Sequence, residues 1–322
     1  MRTAMKPLAC FLAAFAGLCL AGQAGAQDHP RFDIVKGQLQ QRANAALALM
    51  GYLQTPDVTS GALSIRDSST GNPAFNNSSL GGGFVLSDSV PIYMEGTVGY
   101  SRYDPRFVAS NGQEQRELPT RWNDVVATAG IGWSFQVTRD FAIIPIINGS
   151  YGVVKSDASL GSLYIERNTN LNLEFLANGH LDAAGAGGSL LLSYDHVAEK
   201  YEGEIQLRYT DIYTHSVNNS SRVVRGSSRN NNLSLWSRYR APTGMHALDR
   251  PVRYVLEYAR TDYFGNEAKV IQVNHLNSLG VGLELDTSKY HPLWITRARA
   301  VVRYVFAPGV QGVSLGLAVT FG

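Results

Sequence analysis

Apolar and polar side chains alternate residue by residue along much of this chain, and the pattern is cleanest at the carboxy end. There Val313, Leu315, Leu317, Val319 and Phe321 fall on one side of an extended segment, with Ser314, Gly316, Ala318 and Thr320 on the other. Successive side chains of a β-strand point to opposite faces, so this segment predicts a strand with one wholly apolar face. Leu279, Val281, Leu283 and Leu285 repeat it against Ser278, Gly280, Gly282, Glu284 and Asp286, and the run from Val125 to Val137 does so again. Twelve strands are predicted, near 59–67, 79–87, 90–103, 122–137, 140–154, 182–195, 200–214, 230–240, 251–264, 276–287, 295–306 and 311–321.

The connections supply an independent signal. Links such as Ser87 to Ser89 and Thr138 to Asp140 are short. Those from Asp67 to Ser78, Asp104 to Arg121, Lys155 to Leu181, Thr214 to Arg229 and Gly265 to His275 are long and polar, and only the last long-side link, Ala307 to Val310, is short. Barrels of the outer membrane have short periplasmic turns and longer external loops. The fold expectation is therefore all-β: a transmembrane antiparallel β-barrel of about twelve strands spanning residues 55–322. A soluble β-sandwich also has many short alternating strands. It leaves unexplained the ordered alternation of link lengths and the aromatics near strand ends, Tyr93, Tyr100, Trp122, Tyr194, Tyr254, Trp294 and Tyr304 among them. Aromatics at those positions suit girdles at a lipid interface.

The period changes ahead of the first strand. Phe32, Val35, Leu39, Ala43, Ala46, Met50 and Leu53 recur at three- and four-residue steps, which predicts a helical segment within 27–54. Such a helix lies either on a surface or as a plug through the barrel lumen. Small residues at Ala43, Asn44, Ala45 and Ala48 favour the plug, because they let a helix fit a confined pore.

The amino end adds a location. Arg2 and Lys6 precede an apolar stretch from Leu8 to Leu20 and the small-residue run Ala21 to Ala26, the order of a secretory signal peptide over 1–26. Both cysteines, Cys10 and Cys19, fall within it, so disulfides and cysteine-based metal sites are not expected in the exported chain. Without Arg2 and Lys6 the basic residues equal the 26 acidic ones, and a neutral chain gives no sign of a nucleic-acid partner. Charged residues make up 17% of the chain, below the average of about 25% for soluble domains.

The strand count and the helix leading into the first strand resemble the β-domain of bacterial autotransporters. At the carboxy end, Ser314, Gly316, Val319 and Phe321 fit the polar-x-Gly-x-x-apolar-x-aromatic signal of outer-membrane barrels, here followed by Gly322. The resemblance implies a twelve-stranded barrel with a helix in its pore, and recognition of the terminal signal by the barrel assembly machinery. Only about thirty residues lie between the expected signal peptide and the first strand, so the chain is most similar to solitary, passenger-less autotransporter-like barrels.

Candidate chemistry lies on the inward positions. Arg66, Glu95, Glu202, Glu204, Arg208, Arg238, Arg240, Arg253, Glu257, Glu284, Asp286, Arg297, Arg299 and Arg303 are expected to face the lumen, since Arg at the lipid midplane costs about 2–4 kcal/mol. Arginines on two strands flanking an acidic one would give either a transverse field that selects solutes or a salt-bridged brace. The expected role is structural or transport-related, with a narrow diffusion channel for small charged solutes as the alternative. A lipid hydrolase using His180, His215 or His275 is the third reading, although no nucleophile motif surrounds them. No catalytic residue, cofactor or metal is expected. The expected partners are outer-membrane lipid and lipopolysaccharide, the latter through Arg222, Arg225 and Arg229, whose guanidinium forks match phosphate.

Overall fold

The computed structural model describes residues 12–15, 44–56, 62–65, 74–87, 89–104, 106–110, 115–158, 180–219, 225–271, 273–287, 295–308 and 310–321. Its strands are β1 (Leu12–Phe15), β2 (Ala62–Ile65), β3 (Ala74–Val85), β4 (Ile92–Asp104), β5 (Arg106–Ser110), β6 (Gln115–Trp133), β7 (Phe135–Gln136) and β8 (Phe141–Ala158). They continue with β9 (His180–Val197), β10 (Glu202–Asn219), β11 (Ser227–Ala247), β12 (Arg250–Tyr263), β13 (His275–Asp286), β14 (Ile295–Ala307) and β15 (Val310–Phe321). Helix α1 covers 44–50 and runs into a 3-10 turn, Gly51–Leu53; a second short helix, α2, is Asn266–Ile271.

Every strand pair is antiparallel. From β8 the sheet runs without a break through β9 to β15, then to the column shared by β1 and β2, then to β3, β4 and β6. Pairing of β6 with β8, Gly132 opposite Ile146 through Thr120 opposite Ala158, closes the ring at twelve positions. Between β15 and β3 the described residues bridge the seam in part, β1 on Gly316 to Val319 and at Gly81, β2 on Phe75 to Ser78; a barrel in hydrocarbon needs such pairing, because an unpaired backbone group there has no water to bond.

The alternation read from the sequence sets the two faces. Val313, Ile147 and Val281 are 71%, 73% and 62% exposed on the outside, whereas Ser314 between its apolar neighbours is 2% exposed on the inside. A continuous apolar exterior of this kind is matched to lipid rather than to water. No helix among the described residues is long and apolar enough to cross a membrane. At the end of the ring with the short turns, Tyr194, His196, Tyr201, Tyr239 and Tyr254 form a chain of ring contacts 5.7–6.3 Å apart around the outside of β9 to β12. At the other end, where the long links lie, Tyr213 with His215 and Tyr304 with Phe306 form a second aromatic level.

The strand expectations match this ring with four differences. β3 begins at Ala74 rather than 79, because the polar run through Asn76 and Asn77 pairs fully with β4 up to Ala74 opposite Asp104. β6 begins at Gln115, where its first residues pair with β5 in a hairpin outside the ring. β11 continues past Pro242 by an irregularity between Pro242 and His246, which absorbs the missing N–H of proline. The fourth concerns the expected signal segment, which supplies β1: Leu12 to Phe15 pair with Val319 to Gly316, and Ala13 lies opposite Gly81. β2 continues the same column, Ala62 opposite Ser78 to Ile65 opposite Phe75, while the rest of the expected first strand, and Arg66, lie outside the described residues.

Candidate functional site

The lumen is filled in three tiers. At the long-loop end sits α1 with its 3-10 turn. Leu47, Leu49, Met50 and Leu53 have no exposed surface, and Ala46 and Tyr52 are 1% exposed. One side of the helix, Ala46, Leu47, Met50 and Leu53, packs on Trp122, Val126, Val154, Leu181 and Ala183 of β6, β8 and β9. The other side, Leu49 and Tyr52, packs on Tyr263, Leu276, Val305 and Val310 of β12 to β15 and on Ala268 of α2. Glycines on the wall make room for this approach. A Cβ on Gly99 would lie 2.9 Å from Leu53 Cβ, and one on Gly152 would lie 2.8 Å from Met50 Cε.

Polar contacts fix the helix in depth and rotation. Gln54 Nε2 donates to Ser150 Oγ at 2.9 Å and to Thr214 Oγ1 at 2.8 Å, and Asn230 Nδ2 donates to Gln54 Oε1 at 3.2 Å. The amide of Ser227 donates to Asn44 Oδ1 at 2.9 Å. Tyr52 Oη donates to the Glu267 carbonyl at 3.3 Å, so α2, which the sequence reading left as a polar loop, folds over the helix. Glu267 is buried, and its Oε1 accepts the amide of Asn231 at 3.0 Å. Burial pushes the Glu267 carboxyl up to about 7.

Below the helix lies a neutral-to-ionic cluster on β4, β8, β9 and β10. Arg208 holds Glu95 in a two-pronged pair, Nη2 to Oε1 at 2.6 Å and Nη1 to Oε2 at 2.7 Å, and Asn148 Nδ2 donates to the same carboxylate at 2.6 Å. Ser189 Oγ takes a bond from Arg208 Nη2 and gives one to Asn148 Oδ1, so the cluster ties β4 to β10 through β8 and β9. Gly130 leaves the space it needs: a Cβ there would stand 2.6 Å from both Glu95 Cγ and Asn148 Nδ2. Across the lumen, Glu257 pairs with Arg303 at 2.6 Å, and a Cβ on Gly316 would collide with Arg303 Nη1 at 1.9 Å.

The third tier fills the short-turn end. Glu202 pairs with Arg240 at 2.8 Å, Arg253 at 2.5 Å and Arg297 at 3.0 Å, and Glu204 pairs with Arg238 and Arg240. Glu284 pairs with Arg253, with Arg240 at 3.2 Å and with Arg299 at 3.5 Å. Arg238 also lies 4.7 Å above the ring of Trp236. Opposite charges therefore interleave across five strands, β10 to β14. A basic wall facing an acidic one, the arrangement required for a transverse field, is not what these side chains form. Buried charges are tolerated when each finds partners of this kind, and removing one partner leaves the other stranded.

The remaining site residues lie apart from these tiers. Asp286 stands at the rim, 3.9 Å from Arg250. In the terminal signal, Ser314 faces inward and Gly316 lies under Arg303; the backbones of Val319 and Phe321 belong to β15. Arg229 is exposed and held by Asp211 at 2.5 Å; Arg222 lies outside the described residues. His215 stacks on Tyr213, and His275 of β13 lies opposite Asp262 of β12; the backbone of His180 pairs with Lys155. Among the described residues no group of three or more His, Cys, Asp and Glu side chains could hold a metal ion.

The sequence-predicted ion-pair residues are thus brought together, and three participants were missed. Asn148 and Ser189 are polar inward residues, a signal that alternation gave without distinguishing them from solvated ones. Glu267 carried no periodic signal, since it lies in a six-residue helix inside a loop.

No family model matches the chain, and no curated protein matches it. Among solved structures it is similar to the β-domain of the Bordetella autotransporter BrkA, with 12% identity over 81% of this chain and 96% of that one, at a TM-score of 0.47. It is similar to the transport unit of the Escherichia coli autotransporter AIDA-I, with 10% identity over 92% and 100% of the two chains and a TM-score of 0.43. LpxR from Salmonella typhimurium is a third, with 10% identity over 98% and 99% and a TM-score of 0.39.

Proposed function

We propose that this chain is a bacterial outer-membrane β-barrel, exported by a signal peptide over 1–26 whose removal takes β1 away and leaves that column of the ring to β2, and that its lumen is held closed by its own amino-terminal helix. It resembles an autotransporter translocator without a passenger, and its role is structural or at the cell surface rather than enzymatic. The observation that carries this reading is the complete burial of Leu47, Leu49, Met50 and Leu53 against wall residues from both sides of the ring. The ionic tiers beneath the helix support the same conclusion, because Glu95, Glu202, Glu204, Glu257 and Glu284 each hold at least one arginine within the lumen. The barrel assembly machinery is the proposed partner during biogenesis, through Ser314, Gly316, Val319 and Phe321. Lipopolysaccharide is the proposed partner at the long-loop end.

The test combines location with conductance. The protein is expected to remain in the outer-membrane fraction after alkaline extraction and, refolded into planar bilayers, to hold a closed baseline. Recovery from the soluble periplasm would overturn the membrane reading. Steady ohmic current from the intact chain would overturn the closed lumen and favour the diffusion channel.

A further inference from the structure

At the short-turn end of the lumen the carboxylates are outnumbered. Among the described residues Arg238, Arg240, Arg253, Arg297 and Arg299 meet three glutamates, and every glutamate is shared: Glu202 by three arginines, Glu284 by three and Glu204 by two. Asp195, a further acid of this tier, lies opposite Glu204 in register and beside Arg238 and Arg240. Asp286, opposite Arg297 in register, meets Arg250 at the rim. The excess of positive charge therefore falls on Arg253, Arg297 and Arg299 of β12 and β14, where Glu284 of β13 lies opposite both Arg253 and Arg299.

Glu202 shows what this arrangement holds. Its Oε2 accepts from Arg240 at 2.8 Å and from Arg297 Nη1 at 3.0 Å, and its Oε1 accepts from Arg253 Nη1 at 2.5 Å. Three guanidinium groups around one carboxylate already form an anion site, with a side chain of the protein in part of it. Depth decides which arginine a solute can reach. The Arg299 side chain is buried, whereas that of Arg297 is 31% exposed. Arg297 uses Nη1 alone, so Nε and Nη2, two donors on one edge of the guanidinium, make no bond among the described residues. Such an edge matches two oxygens of a phosphate. Excess charge in a largely buried cluster is costly until an anion meets it, and arginines around a pore select anions and phosphates in this way.

We propose that the short-turn mouth of the lumen binds a soluble phosphate dianion, inorganic phosphate or a phosphate monoester, on the Nε and Nη2 edge of Arg297 with Arg253 beside it. The site faces the lumen, away from the apolar outer wall where the chains of a lipid would lie. That the mouth opens to the periplasm rests on the membrane reading above; the site itself does not.

The full-length chain is refolded in a non-ionic detergent and titrated calorimetrically with inorganic phosphate, at pH 7.5 and constant ionic strength with chloride as the other anion. The wild type is expected to bind one phosphate. Arg297→Gln is expected to weaken binding at least about tenfold, the scale of one charge-assisted hydrogen bond. Arg139→Gln, an exposed arginine in a turn at the same end, is expected to bind as the wild type does. Glu202→Gln withdraws the competing carboxylate and is expected to tighten binding; Arg297→Gln, at the exposed mouth, decides the matter if that variant does not refold. Dihexanoyl phosphatidylglycerol, a lipid phosphodiester, is expected to leave the phosphate bound. No binding of phosphate above chloride, equal affinity in Arg297→Gln and the wild type, weaker binding by refolded Glu202→Gln, or displacement by the lipid would each overturn the proposal. Because the titration is made in detergent, its failure leaves the membrane reading standing, and that reading fails separately if the chain is recovered from the soluble periplasm.

Discussion

Shortening Leu53 should loosen the helix from the barrel without touching the strands. Leu53 has no exposed surface, packs with Met50 and Trp122, and rests on Gly99, whose missing side chain leaves nothing to fill a vacated space. Leu→Ala at such a site removes transfer free energy and leaves a cavity, at a cost of about 2–5 kcal/mol. Because the wall residues stay in place when the helix lifts, most of that cost falls on the docked state. Every 1.4 kcal/mol is a tenfold change, so the undocked population should rise by about 30-fold to several thousand-fold. Thiol labelling reads this directly. With Cys10 and Cys19 replaced by Ser, Ala46→Cys is the only thiol, and in the docked state position 46 is 1% exposed. Its maleimide reaction in membranes then proceeds through the undocked state at a rate proportional to that population. Leu53→Ala should accelerate the reaction by the stated factor. An unchanged rate would refute the docking of α1 against Gly99.

Two other predictions concern charge. Glu267 is raised by burial from the ordinary 4.5 to about 7, so the seated α2 prefers the neutral acid. Its stabilisation is therefore full below about 4.5 and lost as pH rises through about 7. Hydrogen-exchange protection of 266–271, corrected for intrinsic rates, should fall between about pH 4.5 and pH 7, level off above that, and become flat in Glu267→Gln. Protection independent of pH in the wild type would count against it. Arg208→Ala strands the Glu95 carboxylate and should destabilise the barrel by about 3–5 kcal/mol, read as an earlier urea midpoint in vesicles. The double variant Glu95→Gln with Arg208→Met should recover most of that loss, whereas equal damage in both variants would show that the pair is not the cause.

The strands were legible because each has one face in the lumen and one outside, and period two records that division directly. Legibility failed where the division ends. Ala74 to Ser78 carries three polar residues and reads as a loop, yet it pairs with β4 on one side and with β2 on the other. Inward charge was also legible, but partnership was not. Arg297 meets Glu202 across 95 positions, and no local signal distinguishes that contact from a wall of like charge. The plug was read correctly as a helix, while its depth was not. The helix packs on Leu276, six residues from Gly282 and about 20 Å along the strand, because the apolar inward residues cluster at the loop end. Phe32, Val35, Leu39 and Ala43, the first half of the helical pattern, lie outside the described residues.

The barrel closed by its own helix can be tested by one crosslink. A Cβ on Gly99 would stand 2.9 Å from Leu53 Cβ, near enough for a disulfide, which needs Cβ atoms about 3.5–4.5 Å apart, after a small shift. In a background with Cys10 and Cys19 replaced by Ser, Leu53→Cys with Gly99→Cys should oxidise in intact outer membranes and shift the mobility of the unreduced chain. Gly51→Cys with Asn230→Cys, whose Cβ separation would also be 2.9 Å, should do the same on the opposite wall. Both bonds forming would place the helix inside the ring. Neither forming, with all four positions open to maleimide, would mean an empty lumen and a different protein from the one described.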